Sequence, residues 1–554
     1  MTELPVREGN ADIPPREVRD WWRDAVVYQI YPRSFADSDG DGLGDLPGIR
    51  SRLPYLAQLG VDAIWLSPFY PSPLLDGGYD VIDPRDVDPR LGTVDDLRGI
   101  VADSHELGLR VFVDVVPNHF SWEHPWFKAA LATAPGSPEW DRFHAVRGKG
   151  PEGELPPNNW HSAFGGPAWT PIPGHAGWWY LHLFDTSQPD LNWANREIHE
   201  DFQRTLRFWF DLGVDGFRID VAHSLVKAEG LPDGPVVDED EVMAGSERGP
   251  AWDQPGVHDV WREWRRVADS YDPPRVFVGE AWVATTEAQA AYTRPDELHT
   301  TFNFHFLRAF WDATVIRDVI GTSLLTSSAV GAPPTWVLSN HDVWRPVTRF
   351  APWRDAHTMD IATGRRRAVA MSMLSLALPG SAYLYQGEEL GLPEVVDLPD
   401  EVRQDPTFFR TEGRVKGRDG CRVPIPWSGD APPYGFTTGT PWLPQPADWA
   451  GLTAEAQEAD DSSTLALYRR ALRVRRESPV LGDGELIWRE SGHDDVLAVE
   501  RPGERPILVL LNTGDGDRAV AVDGEVLLHT GEVSLDPDGA LVIAPDTCCW
   551  IALA

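Results

Sequence analysis

Cysteine is scarce: Cys421 and the adjacent pair Cys548 and Cys549 are the three present in 554 residues. Three thiols so placed provide neither a disulfide framework nor metal-site spacing, and a reducing compartment is expected. Long apolar runs are missing too. No stretch is long enough to span a bilayer, and Met1 to Asp20, polar and rich in Pro, Glu and Arg, lacks the apolar core of a secretory signal. A cytoplasmic protein with no membrane partner is expected. Basic residues are outnumbered, 49 Lys plus Arg against 86 Asp plus Glu, which argues against nucleic acid as a partner, because phosphates need basic surface. Acidity of this size also favours solubility on its own account. Only Lys128, Lys149, Lys227 and Lys416 are lysines, so nearly every cation is an Arg, which we read as coding bias. Absent as well are a phosphate-binding glycine loop, a zinc-protease His pair and a Gly-x-Ser-x-Gly elbow. Length and tryptophan are plentiful. The chain has room for about three or four domains, and 25 Trp offer flat faces that suit sugar rings, although most Trp in any protein is packing.

The stretch Gly213-Val-Asp-Gly-Phe-Arg-Ile-Asp-Val-Ala-His223 closes an apolar run with a carboxylate. Before it, Glu197 to Leu212 has Ile198, Phe202, Leu206, Trp209 and Phe210 at helical spacing, and Gly213 gives a stop. A short strand then places Phe217 and Ile219 on one side and Gly216, Arg218 and Asp220 on the other. A cation on the same face lowers a carboxylate's pKa and keeps it ionised, as a nucleophile must be. Alone, the pair could equally be a structural ion pair at a strand end. Other strand-like runs end in the same way: Arg110 to His119 in Asn118 and His119, Arg275 to Glu280 in Glu280, and Thr335 to Asp342 in His341 and Asp342. In a parallel βα barrel the C-terminal strand ends meet at one face, where catalytic groups gather.

These four blocks, in this order, resemble the four signature regions of the α-amylase superfamily, glycoside hydrolase family 13, and the resemblance covers nearly the whole chain. It implies an α/β fold: a (β/α)8 TIM barrel with a small domain inserted after strand 3 and a C-terminal antiparallel β-sandwich. It also implies Asp220 as nucleophile, Glu280 as general acid/base and Asp342 as transition-state stabiliser, with Arg218, His119 and His341 binding sugar beside them. In Asp76-Gly-Gly-Tyr79, similar enzymes use the Asp for the outermost sugar's hydroxyls and the Tyr to stack on its ring, which assigns Asp76 and Tyr79. Tyr79 could otherwise be a packed loop aromatic. Arg418 fits the family position of an Arg that pairs with Asp76 and walls off the pocket beyond one ring, with Arg422, four residues on, as the alternative. Tyr180 to Asn192 resembles the family's extra signature in the Gln-Pro-Asp-Leu-Asn form of oligo-1,6-glucosidase-like members, and Phe184 within it is a candidate aromatic wall.

The loop Asp37-Ser-Asp-Gly-Asp-Gly-Leu-Gly-Asp45 alternates carboxylates with glycines, as an oxygen-ligand site for a hard cation requires, though Gly48 stands where an EF-hand's closing Glu would be. A metal-free Asp/Gly turn is the other reading. In oligo-1,6-glucosidase-like members such a loop holds a structural Ca²⁺, which would assign Asp37, Asp39, Asp41, Asp45 and the carbonyl of Leu43. No organic cofactor is expected.

The strands are expected at 25–34, 62–67, 110–119, 216–220, 275–280, 300–305, 335–342 and 380–388. The barrel's first part is 1–118 and the insert 119–194, because Pro, Gly, Trp and His replace helical periodicity after Phe120. The second part is 195–478, with an enlarged Pro/Gly-rich loop over 391–450 and a closing helix from Ser462 to Glu477. Short alternating runs in 479–554 read as the β domain.

Glycosidic cleavage needs one acid to protonate the leaving oxygen and one carboxylate opposite. In a retaining enzyme the two stand about 5–5.5 Å apart and the carboxylate attacks directly. Adjacent strands, about 4.8 Å apart, allow that separation for Asp220 and Glu280. The expectation is a retaining, exo-acting α-glucosidase that hydrolyses short oligosaccharides, α-1,4 and/or α-1,6 linked, with sucrose isomers also in range. A relative that transfers or isomerises, of sucrose isomerase or trehalose synthase type, is the alternative. Val221, after the nucleophile, leans toward α-1,6 bonds by resemblance, while Ala222-His223 departs from the oligo-1,6-glucosidase pattern. A non-catalytic transporter-subunit relative would lack part of the carboxylate set and carry a membrane helix, and this chain does neither.

Overall fold

The computed structural model describes residues 20–235, 249–355 and 358–554. The stretch inspected for a secretory leader lies, up to residue 19, outside them. Eight parallel strands form one row: β1 (Val26–Ile30), β2 (Ala63–Leu66), β3 (Arg110–Val115), β7 (Gly216–Ile219), β8 (Val276–Gly279), β9 (Thr300–Thr301), β10 (Thr335–Val337) and β11 (Ser381–Tyr385). β11 pairs with β1, and a lone parallel bridge between Phe302 and Thr335 joins β9 to β10, closing the row into a barrel. Between β3 and β7 lies a small antiparallel sheet of β4 (Ala145–Arg147), β5 (Trp169–Pro171) and β6 (Trp178–Leu181). The C-terminal region has two antiparallel sheets. One holds β12 (Ile487–Trp488), β13 (Val496–Arg501), β14 (Ile507–Asn512), β16 (Gly524–His529) and β19 (Thr547–Leu553), and the other β15 (Arg518–Val520), β17 (Val533–Leu535) and β18 (Leu541–Ile543).

Strand alternation decides what the barrel contains. On β7, Phe217 and Ile219 pack into the shell outside the barrel, while Gly216 and Arg218 face inward. Gly216 is required there: a Cβ on it would stand 2.4 Å from the ring of Phe112. The helix Arg196–Leu212 that leads into β7 is capped by the Asn195 side chain and stopped by Gly213 at φ 113°. The sixth strand, expected to reach His305, is only Thr300–Thr301. Asn303 turns the chain, its Oδ1 capping the short helix Phe304–Leu307 and its Nδ2 bonded to Ser323. The seventh likewise stops at Val337, and residues 338–342 fold over the barrel end. Among the described residues no helix is long and apolar enough to cross a membrane.

Candidate active site

Arg218 is the hub of the barrel mouth. Its side chain is fully buried, and Nη1 donates to Asp220 Oδ1 (2.8 Å) and Asp114 Oδ1 (2.9 Å) while Nη2 donates to Glu280 Oε2 (2.5 Å). Asp114 Oδ2 also accepts from Trp65 Nε1 and the Tyr79 hydroxyl, both at 3.1 Å. One guanidinium therefore serves three buried carboxylates, and not Asp220 alone. Burial pushes the Asp220 carboxyl well up, Arg218 opposes that, and Glu280, Asp114 and Asp342 add to the rise. Burial likewise pushes Asp114 up to about 7, against Arg218. The three carboxylates thus compete for one positive charge in a desolvated site. Asp114 was missed in the sequence, although an Asp inside an apolar strand is itself a signal.

Backbone bonds fix the carboxylates at the strand ends. The Asp220 N–H donates to Val115 O and the Glu280 N–H to Ile219 O, both 2.9 Å. Glu280 Oε2 accepts a second bond from the Val221 N–H (3.0 Å), and its Oε1 accepts from Trp282 Nε1 (2.9 Å). Val221 is buried with φ 37°, a left-handed conformation that strains a β-branched residue. Asp342 Oδ1 accepts from Arg418 Nη1 (2.9 Å) and Arg422 Nη2 (3.1 Å). Against the burial that would raise it, the Arg418 and Arg422 guanidiniums hold Asp342 well below the usual carboxylate range. The His341 ring lies flat on Tyr79, centroids 5.1 Å apart, and its Nδ1 meets Gln29 Nε2 at 2.8 Å. Because Gln29 Nε2 can only donate, Nδ1 is the acceptor and Nε2 carries the hydrogen. That Nε2 stands 3.1 Å from Asp342 Oδ2 without an aligned hydrogen bond.

A cavity of about 450 Å³ opens above this cluster, and Asp76 and Arg418 are among the residues that line it. There Arg418, rather than Arg422, meets Asp76: Nη2 to Oδ1 is 2.7 Å. Arg418 is itself seated by Asp405, whose Oδ2 takes its Nε at 2.5 Å and its backbone N–H at 2.9 Å, and its guanidinium lies over the Phe164 ring. Gln188 Nε2 joins Asp76 Oδ2 (2.9 Å) to His119 Nε2 (3.2 Å). Burial pushes His119 down to about 4, so it is neutral at pH 7. Phe184 packs on His119 and on Phe164, centroids 5.2 and 5.6 Å away, and lines the cavity. Asp405 and Gln188 had no assigned role in the sequence. Gln188 lay inside a recognised motif, whereas Asp405, the cap of the helix Pro406–Arg410, carries no local signal. Beneath the wall, Lys227 Nζ is buried 2.9 Å from both Asp190 Oδ2 and Asn118 Oδ1, tying the insert to the end of β3.

Away from the mouth, carboxylate oxygens of Asp37, Asp39 and Asp45 lie within 4.8 Å of one another. Oxygens about 2.3–2.6 Å from a common Ca²⁺ would be spaced this way, so the three fit the ion. Asp41 stands outside that group, its Oδ1 accepting the Leu43 N–H at 2.7 Å. The same loop is also tied by its own backbone: Asp37 accepts from Asp39, Gly40 and Gly42, and Asp45 caps the helix Leu46–Ser51. Gly42 sits at φ 96°, where a Cβ would come within 2.0 Å of Thr440 O.

The chain is 38% identical over 519 residues to a probable alpha-glucosidase of Rhizobium meliloti, covering 90% of each. It is 34% identical over 552 residues to an oligo-1,6-glucosidase of Parageobacillus thermoglucosidasius, covering 93% of this chain and 94% of that one. The crystal structure of an alpha-glucosyl transfer enzyme superposes with a TM-score of 0.87 at 36% identity, covering 96% of this chain and 99% of that one. Residues 29–484 match the alpha amylase catalytic domain, and with the barrel and its carboxylate-lined mouth already described, the chain belongs to the alpha-amylase family of glycoside hydrolases.

Proposed function

We propose that this protein is a retaining, exo-acting α-glucosidase that releases single glucose units from the non-reducing ends of short oligosaccharides. The observation that carries this reading is the pocket closed by the Asp76–Arg418 pair, with Asp220 and Glu280 held side by side on the two terminal nitrogens of Arg218. Asp220 attacks the anomeric carbon while Glu280 gives its proton to the departing oxygen, and Glu280 then takes a proton from the water that attacks the glucosyl-enzyme. Asp342, His341, His119 and Asp76 bind the ring's hydroxyls, and the ionised Asp342 stabilises charge developing at the anomeric carbon. Tyr79 forms the platform under that ring.

On maltotetraose and starch, glucose is expected to dominate the early products. Early maltose or longer chains, or rapid cleavage inside the polymer, would mean an open cleft. Val221 lines the cavity and biases linkage toward α-1,6, by about 1–3 kcal/mol per methylene of fit. A second reading, transfer to a sugar hydroxyl in place of water, is favoured by the likeness to an alpha-glucosyl transfer enzyme. Scoring hydrolysis and transfer separately on maltose, isomaltose and sucrose isomers decides between them.

In this reading Ca²⁺ is structural, held by Asp37, Asp39 and Asp45 with Asp41 and the Leu43 carbonyl as further donors, and takes no part in the chemistry. An ion that binds only the folded state stabilises it by about 2.7 kcal/mol at 100 times its Kd. Chelation is therefore expected to lower Tm and added Ca²⁺ to restore it. An unchanged Tm would leave the loop as a self-sufficient Asp/Gly turn. Three buried free thiols support a cytoplasmic location.

A further inference from the structure

We infer that Trp282 is a positioning residue that acts on the proton-bearing oxygen of Glu280 and sets how readily Glu280 gives up that proton. This rests on Glu280 being the acid/base. Both oxygens of that carboxyl are engaged, but unequally. Oε2 accepts from Arg218 Nη2 at 2.5 Å and from the Val221 backbone at 3.0 Å, two donors fixed by the barrel and by a strained turn. Oε1 accepts only the Trp282 indole N–H, at 2.9 Å. A carboxyl oxygen already taken by two N–H donors has no room for a hydrogen of its own, so the acidic proton resides on Oε1. Among the described residues, Trp282 is thereby the one side chain hydrogen-bonded to the proton-bearing oxygen.

The indole is held for this task. One face lies on Phe304 with centroids 3.6 Å apart and planes 3° from parallel, and Arg308 stands 4.7 Å from the ring centroid. Trp282, Leu307 and Arg308 also line the cavity, and since they surround the group that protonates the leaving oxygen, they form its leaving-group side. The charged groups that bear on Glu280 are Arg218, Asp114 and Asp220, with Asp342 beyond Asp220 and Arg308 behind the indole. None of these is hydrogen-bonded to Oε1 among the described residues, where the Trp282 indole is the partner. An N–H donated to a carboxyl favours its ionised form. In the first half-reaction the Oε1 proton passes to the glycosidic oxygen as its bond to the anomeric carbon breaks and the bond to Asp220 forms. In the second half, water's oxygen bonds that carbon, the Asp220 bond breaks and water's proton returns to Oε1.

The test is Trp282→Phe, which keeps a ring in the stack and removes the N–H. The basic limb of kcat/KM should move up by about one pH unit, since the acid holds its proton longer. At neutral pH the deglucosylation step, which needs ionised Glu280, should slow by roughly tenfold, a part of the 10²–10⁴ that acid–base catalysis supplies. With 2,4-dinitrophenyl α-glucoside, whose departure needs no proton, the lost rate should therefore appear in kcat and not in kcat/KM. Arg308→Leu, on the exposed side of the stack, should shift the limb in the same direction by less, and carries the test if Trp282→Phe is poorly folded. A uniform fall in rate with unmoved limbs in both variants would overturn the inference. Glu280→Gln separates this from the underlying reading: if it hydrolyses poor and activated leaving groups in the wild-type ratio, Glu280 is not the acid at all. If that ratio collapses while the Trp282 limbs stay put, only the role given to Trp282 fails.

Discussion

Asp220→Asn is expected to keep the fold and ligand binding while cutting turnover by roughly four orders of magnitude. The substitution is isosteric, and the backbone that places residue 220 is bonded to Val115 O independently of the side chain. An amide oxygen can still accept from Arg218 Nη1, so the pocket keeps its shape, but an amide cannot form the glucosyl ester. Stability should not fall. Asp220, Asp114 and Glu280 crowd one guanidinium, and removing one ionisable carboxyl relieves that crowding. Kinetics on maltose with a melting curve check both halves. Turnover within tenfold of wild type would remove Asp220 from the nucleophile's role.

Arg418→Ala should do the greatest damage at the closed end. Its guanidinium bonds Asp76 at 2.7 Å, Asp342 at 2.9 Å and Asp405 at 2.5 Å, and Asp76 and Asp405 are buried. Removing one partner of a buried pair leaves an uncompensated charge and costs about 3–5 kcal/mol. We expect a lower Tm and a fall in kcat/KM of roughly 10²–10³, the effect of misplacing groups that bind the transition state. Because the same residue is the end wall, maltose should appear among early products from maltotetraose. Arg422→Ala removes donors to Asp342 and to the His341 carbonyl yet leaves Asp76 paired, so it should slow the enzyme without changing its products. Maltose from Arg422→Ala but not from Arg418→Ala would reverse the two arginines.

The parts of this site that could be read beforehand are those with a local cause. Asp220 and Glu280 directly follow apolar strands and Asp342 closes an apolar run, and such an interruption shows in sequence. The helix Arg196–Leu212 shows through its period and its glycine stop. What escaped depends on distance along the chain. Asp405 and Asp76 lie far apart in sequence and meet only through Arg418. Arg418 and Arg422 could not be separated, because the single turn Asp419–Arg422 brings both guanidiniums onto Asp342. A two-residue strand such as Thr300–Thr301 has no periodicity to read, and its place comes from its neighbours in the barrel. The crowding at Arg218 escaped as well, because pairing it with Asp220 alone leaves out Asp114 and Glu280, which claim the same cation.

Val221 binds two properties together that selection would otherwise treat separately. It lines the cavity, and it holds φ 37° while its N–H donates to Glu280. A left-handed backbone costs an ordinary L-residue roughly 1–2 kcal/mol, and least for Gly or Asn. Glycine or asparagine at this position would therefore relax the turn at the same moment as it changes the space beside the cavity. A lineage pressed only by heat would drift toward them, and its linkage preference would drift along as a by-product.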